Sequence, residues 1–372
     1  MDVCEFSPPY VRAIAPYQPG KPISELAREY GLDERSIVKL ASNENPLGIS
    51  PRVKETIERE MAELSRYPDG NAFDLKSALS RRFGVPMEAI VVGNGSNDIL
   101  EMAAAAFLAP GRASVYSQHA FAVYPLATQS RGARGIVVPA KDFGHDVDAM
   151  LSAITPETRI VFIANPNNPT GTFVQGAALE AFVGRVPPDV LVVIDEAYND
   201  YLPDALRYDS VGWIARHSNL LITRTFSKVY GLAGLRVGFG LCDPKVADLL
   251  NRVRQPFNVN NLALAAAAAA LEDTEFVARS YEVNRAGMRQ LESGFKSLGL
   301  EWIASMGNFV SVKVPRAGGK SQAGSAFEKL LRRGVIVRPV AGYGMPDHLR
   351  VTIGLRDENE RFLAALKNAL GA

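Results

Sequence analysis

From about residue 85 the chain alternates short β-branched runs with longer stretches of helical character. AIVVG (89–93), RIVFIAN (159–165), VLVVID (190–195) and NLLITRT (219–225) have the length and composition of strands. Segments between them, such as NDILEMAAAAFL, have the composition of helices. This alternation predicts parallel βαβ units in an open, doubly wound sheet, an α/β fold. IVFIA and LVVID are apolar at both odd and even positions, as strands covered on both faces require.

The texture changes toward both ends. The first 50 residues are irregular and punctuated by proline, with one helix predicted around Ser24–Tyr30. After RQPFNVNN (Arg254–Asn261) a helical zone containing an alanine tract runs to about Leu298. Short strands follow at FVSVKV (309–314), VIVRP (335–339) and LRVTIG (349–354), and the last helix ends near Leu370. The pattern predicts a large three-layer domain around a mostly parallel sheet over residues 45–260. Residues 261–372 would supply a linking long helix and a smaller α/β domain, against which the N-terminal segment 1–44 packs.

A chain of 372 residues is long enough for two such domains. Lys and Arg number 41 against 40 for Asp and Glu, so no uniform field attracts nucleic acid or an anionic membrane. Cys4 and Cys242 lie far apart, which excludes a disulfide framework and a cysteine metal site and fits a reducing cytoplasm. The opening MDVCEFSPPYVR has no apolar core, so no secretory signal is expected. LALAAAAAAL (Leu262–Leu271) falls short of the roughly 18 apolar residues of a membrane span. A cytoplasmic protein acting on small molecules is expected.

Sites in doubly wound sheets form at the carboxyl ends of the strands. Strand 89–93 runs into GNGSND, a glycine turn before a helix whose first N–H groups, near Ser96 and Asn97, are free to bind an anion. Strand 159–165 runs into NPNNPTG, and strand 190–195 ends on Asp195 with Tyr198 close behind. Strand 219–225 runs into TFSKVYGLAGLRVG, which crowds Thr225, Ser227, Lys228 and Arg236 together. Each feature alone has a plainer reading: a turn, a rigid loop, a helix cap, a solvated lysine. Their joint occurrence, in this order, is what points to an amine nucleophile beside a bound phosphate.

That set resembles the fold-type-I aminotransferases, over nearly the whole chain, and within them the histidinol-phosphate aminotransferase branch. The resemblance rests on PYQPGK (16–21), KLASNENPLG (39–48), RYPDG (66–70), GNGSND, NPNNPTG, DEAY, TFSKVYGLAGLRVG and LRVTIG. It implies an aspartate-aminotransferase-like fold and pyridoxal 5'-phosphate as cofactor, carried by Lys228 as an imine. It further implies that Asp195 faces the pyridine nitrogen, that Tyr198 and Asn168 serve the ring's phenolic oxygen, and that Phe121 packs on a ring face. The phosphate would be held by Gly95, Ser96, Asn97, Thr225, Ser227 and Arg236. Asn97 stands where most members of the branch carry an acid, a change tolerated if the backbone N–H does the binding.

Lys228, once freed, would move the proton between the substrate and the cofactor, a task arginine cannot perform because guanidinium keeps its proton. Arg350, Arg338, Tyr17 and Asn43 would face the substrate, and Tyr67 would reach the cofactor phosphate of a neighbouring subunit in a homodimer. The partners implied are an amino donor and a 2-keto acid acceptor. Histidinol phosphate is the expected donor. Aromatic amino acids, whose carboxylate can use the same Arg350, are the alternative. Threonine-phosphate decarboxylases and non-catalytic ligand-binding relatives share parts of the pattern.

Overall fold

The computed structural model describes residues 2–371. Seven strands form the central sheet: β1 (Ile90–Gly93), β2 (Ala113–Ser117), β3 (Arg134–Val138), β4 (Thr158–Ala164), β5 (Leu191–Asp195), β6 (Leu220–Thr225) and β7 (Gly238–Cys242). Their spatial order is β1-β7-β6-β5-β4-β2-β3. Only β7 runs antiparallel, to both of its neighbours; the remaining pairs are parallel.

Alternate side chains feed two separate cores. Val92, Val161, Ile163, Val192, Ile194 and Ile222 meet helices Phe73–Phe83, Gly176–Arg185 and Asn261–Glu272 on one face. Val91, Ile160, Phe162, Leu191, Val193 and Leu221 meet helices Ser96–Phe107, Val123–Ser130 and Pro244–Val253 on the other. Each large aliphatic buried this way contributes roughly 1.5–3 kcal/mol, so a one-residue slip of any central strand would be costly. The two helical layers and the sheet make the three layers that the both-faces-apolar strands predict.

A second sheet is built from β8 (Trp302–Ile303), β9 (Phe309–Lys313), β10 (Arg338–Pro339) and β11 (His348–Thr352), antiparallel in the order β10-β11-β9-β8. Val310, Val312, Leu349 and Val351 pack beneath Phe295, Leu330, Phe362 and Leu366. The N-terminal region joins this body twice. Val38–Lys39 pairs in parallel with Val335–Ile336, and Leu26, Ala27, Ile37 and Ala41 pack on Leu331 and Ile336.

Three features differ from the sequence expectation. The helical zone is two helices, Asn261–Glu272 and Thr274–Ser297, because Asp273 leaves helical geometry and its carboxylate caps the Phe276 N–H at 3.0 Å. VIVRP splits at Val337, one half pairing with the N-terminal segment and the other with β11. β7, GFGLC, lies outside the predicted strands because its glycines lack β propensity. Gly238 has a spatial reason: a Cβ there would lie 2.4 Å from the Ser96 nitrogen. Among the described residues no helix is long and apolar enough to cross a membrane.

Candidate active site

The carboxyl ends of β4, β5 and β6 open into one cavity walled on its far side by β10 and β11. At one end Ser96, Asn97, Thr225, Ser227 and Arg236 line it. Helix Ser96–Phe107 starts at Gly95 with no side-chain cap, so its first N–H groups face the cavity without an internal acceptor. Gly95 itself lies directly behind Arg236: its φ is +84°, and a Cβ would fall 2.4 Å from the guanidinium. Arg236 Nη1 donates to Ser227 Oγ at 3.3 Å and to the Ala233 carbonyl at 3.0 Å. Among the described residues the guanidinium has no carboxylate partner. Free helix N–H groups, two hydroxyls and an unpaired guanidinium suit a dianionic phosphate.

Lys228 sits in the middle of the cavity. Its Nζ donates to the Ser42 carbonyl at 3.3 Å and lies 5.7 Å from the centre of the Tyr198 ring. Burial, reinforced by the Arg350 guanidinium, pushes its pKa down to about 8. The sign gives a prediction. A lowered pKa favours the neutral amine, which is the nucleophile, so capture of pyridoxal phosphate by apoprotein should rise with pH and be half-maximal near pH 8. A capture rate, followed by visible absorbance, that still climbs beyond pH 10 would show an ordinary surface lysine.

Asp195 ends β5 almost wholly buried. Tyr124 donates its hydroxyl to Oδ2 at 3.1 Å and the Ala197 N–H donates to Oδ1 at 3.2 Å. Burial raises the carboxyl pKa to about 6, so the anion waits for a buried cation. Tyr124 is held in turn by parallel stacking on Phe162, ring centres 4.8 Å apart. Tyr198 accepts from Asn43 Nδ2 at 2.8 Å, which leaves its own hydroxyl proton free for a ligand. Phe121 and Asn168 complete this part of the wall.

The opposite end of the cavity is lined by Tyr17, Asn43, Arg338, Tyr343 and Arg350. Arg350 donates to Asn168 Oδ1 and to the Ala41 carbonyl, both at 2.6 Å, while its buried Nε has no partner. Arg338 donates to the Gln18 carbonyl at 2.6 Å and stacks over Tyr17, 5.4 Å from the ring centre. Among the described residues neither arginine is paired with a carboxylate. Asn43, at a φ of 54°, joins three parts of the chain: it holds Tyr198, bonds Thr352 of β11 through its N–H, and accepts from Asn308.

Tyr67 lies away from the cavity of its own chain. It is 83% exposed and stacked on Phe257 at 4.8 Å. Sequence reasoning missed Tyr124, three residues after Phe121 and so one helical turn on, and Tyr343. It also missed the buried pair beneath the lysine loop, where Arg224 donates through Nε and Nη2 to Glu196 Oε2 at 2.9 and 2.8 Å. The Glu196 side chain is fully buried. Arg224→Met would strand that carboxylate, and a loss of about 3 kcal/mol is expected. Urea unfolding checks this; an unchanged midpoint would mean that the pair is energetically idle.

Residues 35–366 match the family described as aminotransferase class I and II. The chain belongs to this aminotransferase family. The aminotransferase is 61% identical over 370 residues to histidinol-phosphate aminotransferase 2 of Nitrosospira multiformis, covering all of this chain and 93% of that one. It is 62% identical to histidinol-phosphate aminotransferase 1 of Cupriavidus pinatubonensis, covering 98% and 96%. Among solved structures it superposes on histidinol-phosphate aminotransferase from Sinorhizobium meliloti in complex with pyridoxal-5'-phosphate with a TM-score of 0.89, at 26% identity, over 98% and 97% of the chains. A Thermus thermophilus aspartate aminotransferase double mutant shares the fold, with a TM-score of 0.84 at 24% identity over 97% and 98%. The residues of this aminotransferase fit that cofactor chemically: a cradle of N–H, hydroxyl and guanidinium groups for its phosphate, a depressed lysine for its aldehyde, and a buried carboxylate for its ring nitrogen.

Proposed function

We propose that this enzyme uses pyridoxal phosphate to transfer the amino group of histidinol phosphate to 2-oxoglutarate, giving imidazole-acetol phosphate and glutamate in histidine biosynthesis. The observation that carries the substrate choice is the arginine pair at the far end of the cavity. Arg350 has a buried, unpartnered Nε, and neither it nor Arg338 is neutralised by an acid. A phosphate monoester supplies the missing charge and acceptors. The relatives named histidinol-phosphate aminotransferase, at 58–62% identity, support the same choice.

Bound pyridoxal phosphate supplies an electron sink for the substrate's Cα–H bond. The chain supplies everything else. Lys228 would hold the cofactor, and its neutral Nζ is the group that would take the Cα proton. Asp195 holds the proton on the ring nitrogen, with Tyr124 fixing the carboxylate. Tyr198, oriented by Asn43, and Asn168 would serve the ring's phenolic oxygen, and Phe121 would pack on the ring. Arg236, Ser227, Thr225 and the Ser96 and Asn97 amides anchor one phosphate; Arg350, Arg338 and Tyr17 receive the other.

In this reading residues 45–260 form the cofactor-binding domain, 261–372 the linking helices and small domain, and 1–44 a segment docked on the latter. Tyr67 serves the partner's phosphate in a cytoplasmic homodimer; a fully active monomer in sedimentation experiments would remove that role. The substrate test is a half-reaction. Holoenzyme is mixed separately with histidinol phosphate, phenylalanine and threonine phosphate, and the visible absorbance is followed. Rapid loss of the band with histidinol phosphate supports the reading. A faster response to phenylalanine would move the enzyme to aromatic substrates, and carbon dioxide release from threonine phosphate would change the reaction class.

A further inference from the structure

His119 lies in the turn between β2 and helix Val123–Ser130, two residues before Phe121, at a φ of 57°. That turn is pinned to the central-sheet body from several sides. The Gln118 N–H donates to the Val138 carbonyl at 2.7 Å, the Ala120 N–H to the Ser117 carbonyl at 3.2 Å, and Asn167 Nδ2 to the His119 carbonyl at 3.1 Å. The imidazole reaches the other way. Its Nδ1 lies 2.5 Å from the Tyr343 carbonyl, in the Ala341–Tyr343 turn between β10 and β11. A carbonyl can only accept, so Nδ1 carries the proton.

The fit around the ring is close. A Cβ on Gly344, whose φ is 74°, would fall 3.4 Å from both Nδ1 and Cε1 of His119. Phe143 flanks the imidazole with ring centres 5.7 Å apart, and His348 meets the edge of Phe143 at 5.3 Å. Tyr343, whose carbonyl is held, turns its phenol into the cavity, among Tyr17, Arg338 and Arg350. The Ala122 N–H reaches the Tyr343 hydroxyl, while the backbone of the Ala341–Tyr343 turn is held to the central-sheet body by the His119 bond.

We propose that His119 is a positioning residue for the substrate end of the pocket: its Nδ1–H holds the Tyr343 carbonyl, and so sets Tyr343 as the wall against which the far end of the substrate docks. The proposal rests on the reading of that end as the phosphate-receiving one. His119 touches neither cofactor nor substrate. It couples the Phe121 turn to the arginine end, so that the two walls of the pocket keep a fixed separation. A substrate whose terminal group must reach Arg338 and Arg350 is sensitive to that separation, because bidentate arginine contacts tolerate little misplacement.

Two variants isolate the contact. His119→Gly accepts a φ of 57° without strain and removes the donor; His119→Asn also accepts it and places an amide N–H where Nδ1 stands. In the Gly holoenzyme KM for histidinol phosphate should rise about tenfold, the worth of one hydrogen bond. Its kcat and the visible absorbance of the bound cofactor should be little changed, and the Asn variant should recover most of the loss in KM. An unchanged KM in the Gly variant, or no recovery with Asn, overturns the proposal. So does a parallel fall in kcat and cofactor retention, which would mean that the Phe121 turn had simply collapsed. Wild-type enzyme that ignores histidinol phosphate overturns the substrate reading instead, and the same KM comparison then decides the role of His119 on whichever donor the wild type uses.

Discussion

Replacing Lys228 with alanine should lower multiple turnover by roughly four orders of magnitude, since it removes the one group proposed both to bind the cofactor covalently and to move the proton. The structure separates this loss from a folding defect. Among the described residues Lys228 makes a single hydrogen bond, to the Ser42 carbonyl at 3.3 Å, and no ion pair. Its pKa is depressed to about 8, so below that pH the folded state holds an ammonium that the unfolded chain solvates better. Removing that ammonium at pH 7 relieves a cost. The apoprotein of the variant should therefore melt at the same temperature as wild type or higher, while steady-state turnover vanishes. Turnover near the wild-type rate would show that another amine performs both tasks. A lost melting transition would show instead that the lysine has a structural part the geometry does not reveal.

Asp195→Asn should reduce kcat by about two to four orders of magnitude while leaving the cofactor bound. Asparagine keeps an oxygen to accept from the Ala197 N–H, and its amide Nδ2, standing where Oδ2 was, can donate to the Tyr124 hydroxyl oxygen, so the local geometry has no reason to collapse. What disappears is the negative charge proposed to keep a proton on the ring nitrogen. The variant's stability carries its own signature. Burial raises the Asp195 pKa from 3.8 to about 6, so the apoprotein binds more protons than the unfolded chain between those values. Wild-type apoprotein accordingly loses stability as pH rises through that window, and the neutral asparagine does not. The variant's relative melting temperature should be higher at pH 7 than at pH 4. Normal turnover would mean that the ring nitrogen has another partner.

Much of the catalytic set was legible because a doubly wound sheet brings the carboxyl ends of its strands to one edge. Once AIVVG, RIVFIAN, VLVVID and NLLITRT are read as parallel strands, the residues that follow them must converge, whatever the loops do in detail. That rule brings the segments holding Ser96, Asn168, Asp195 and Lys228 to one edge, the joint set of motifs singled those residues out, and all four line the cavity. The antiparallel strand Gly238–Cys242 was not reachable, because its glycines erase the hydrophobic alternation. They leave room for helix Ser96–Phe107 to start against the sheet. Tyr124 beneath Asp195 spans 71 residues of sequence, Arg224 on Glu196 spans 28, and His119 on Tyr343 spans 224. Nothing local distinguishes such residues from ordinary core or loop positions.

The chain by itself determined the layered α/β class and the end of the sheet where the candidate site lies, both of which follow from period-two and helical patterning. The lysine, aspartate and arginines proposed to act there were picked out by the joint set of short motifs and the family resemblance they carry. The tertiary structure alone decided how those groups are tuned. Burial lowers Lys228 and raises Asp195, Tyr124 and Asn43 orient them, and the contact of His119 with Tyr343 sets the far wall. Desolvation and hydrogen-bond direction depend on neighbours that only folding supplies, so a linear pattern names the reacting groups but not their strengths.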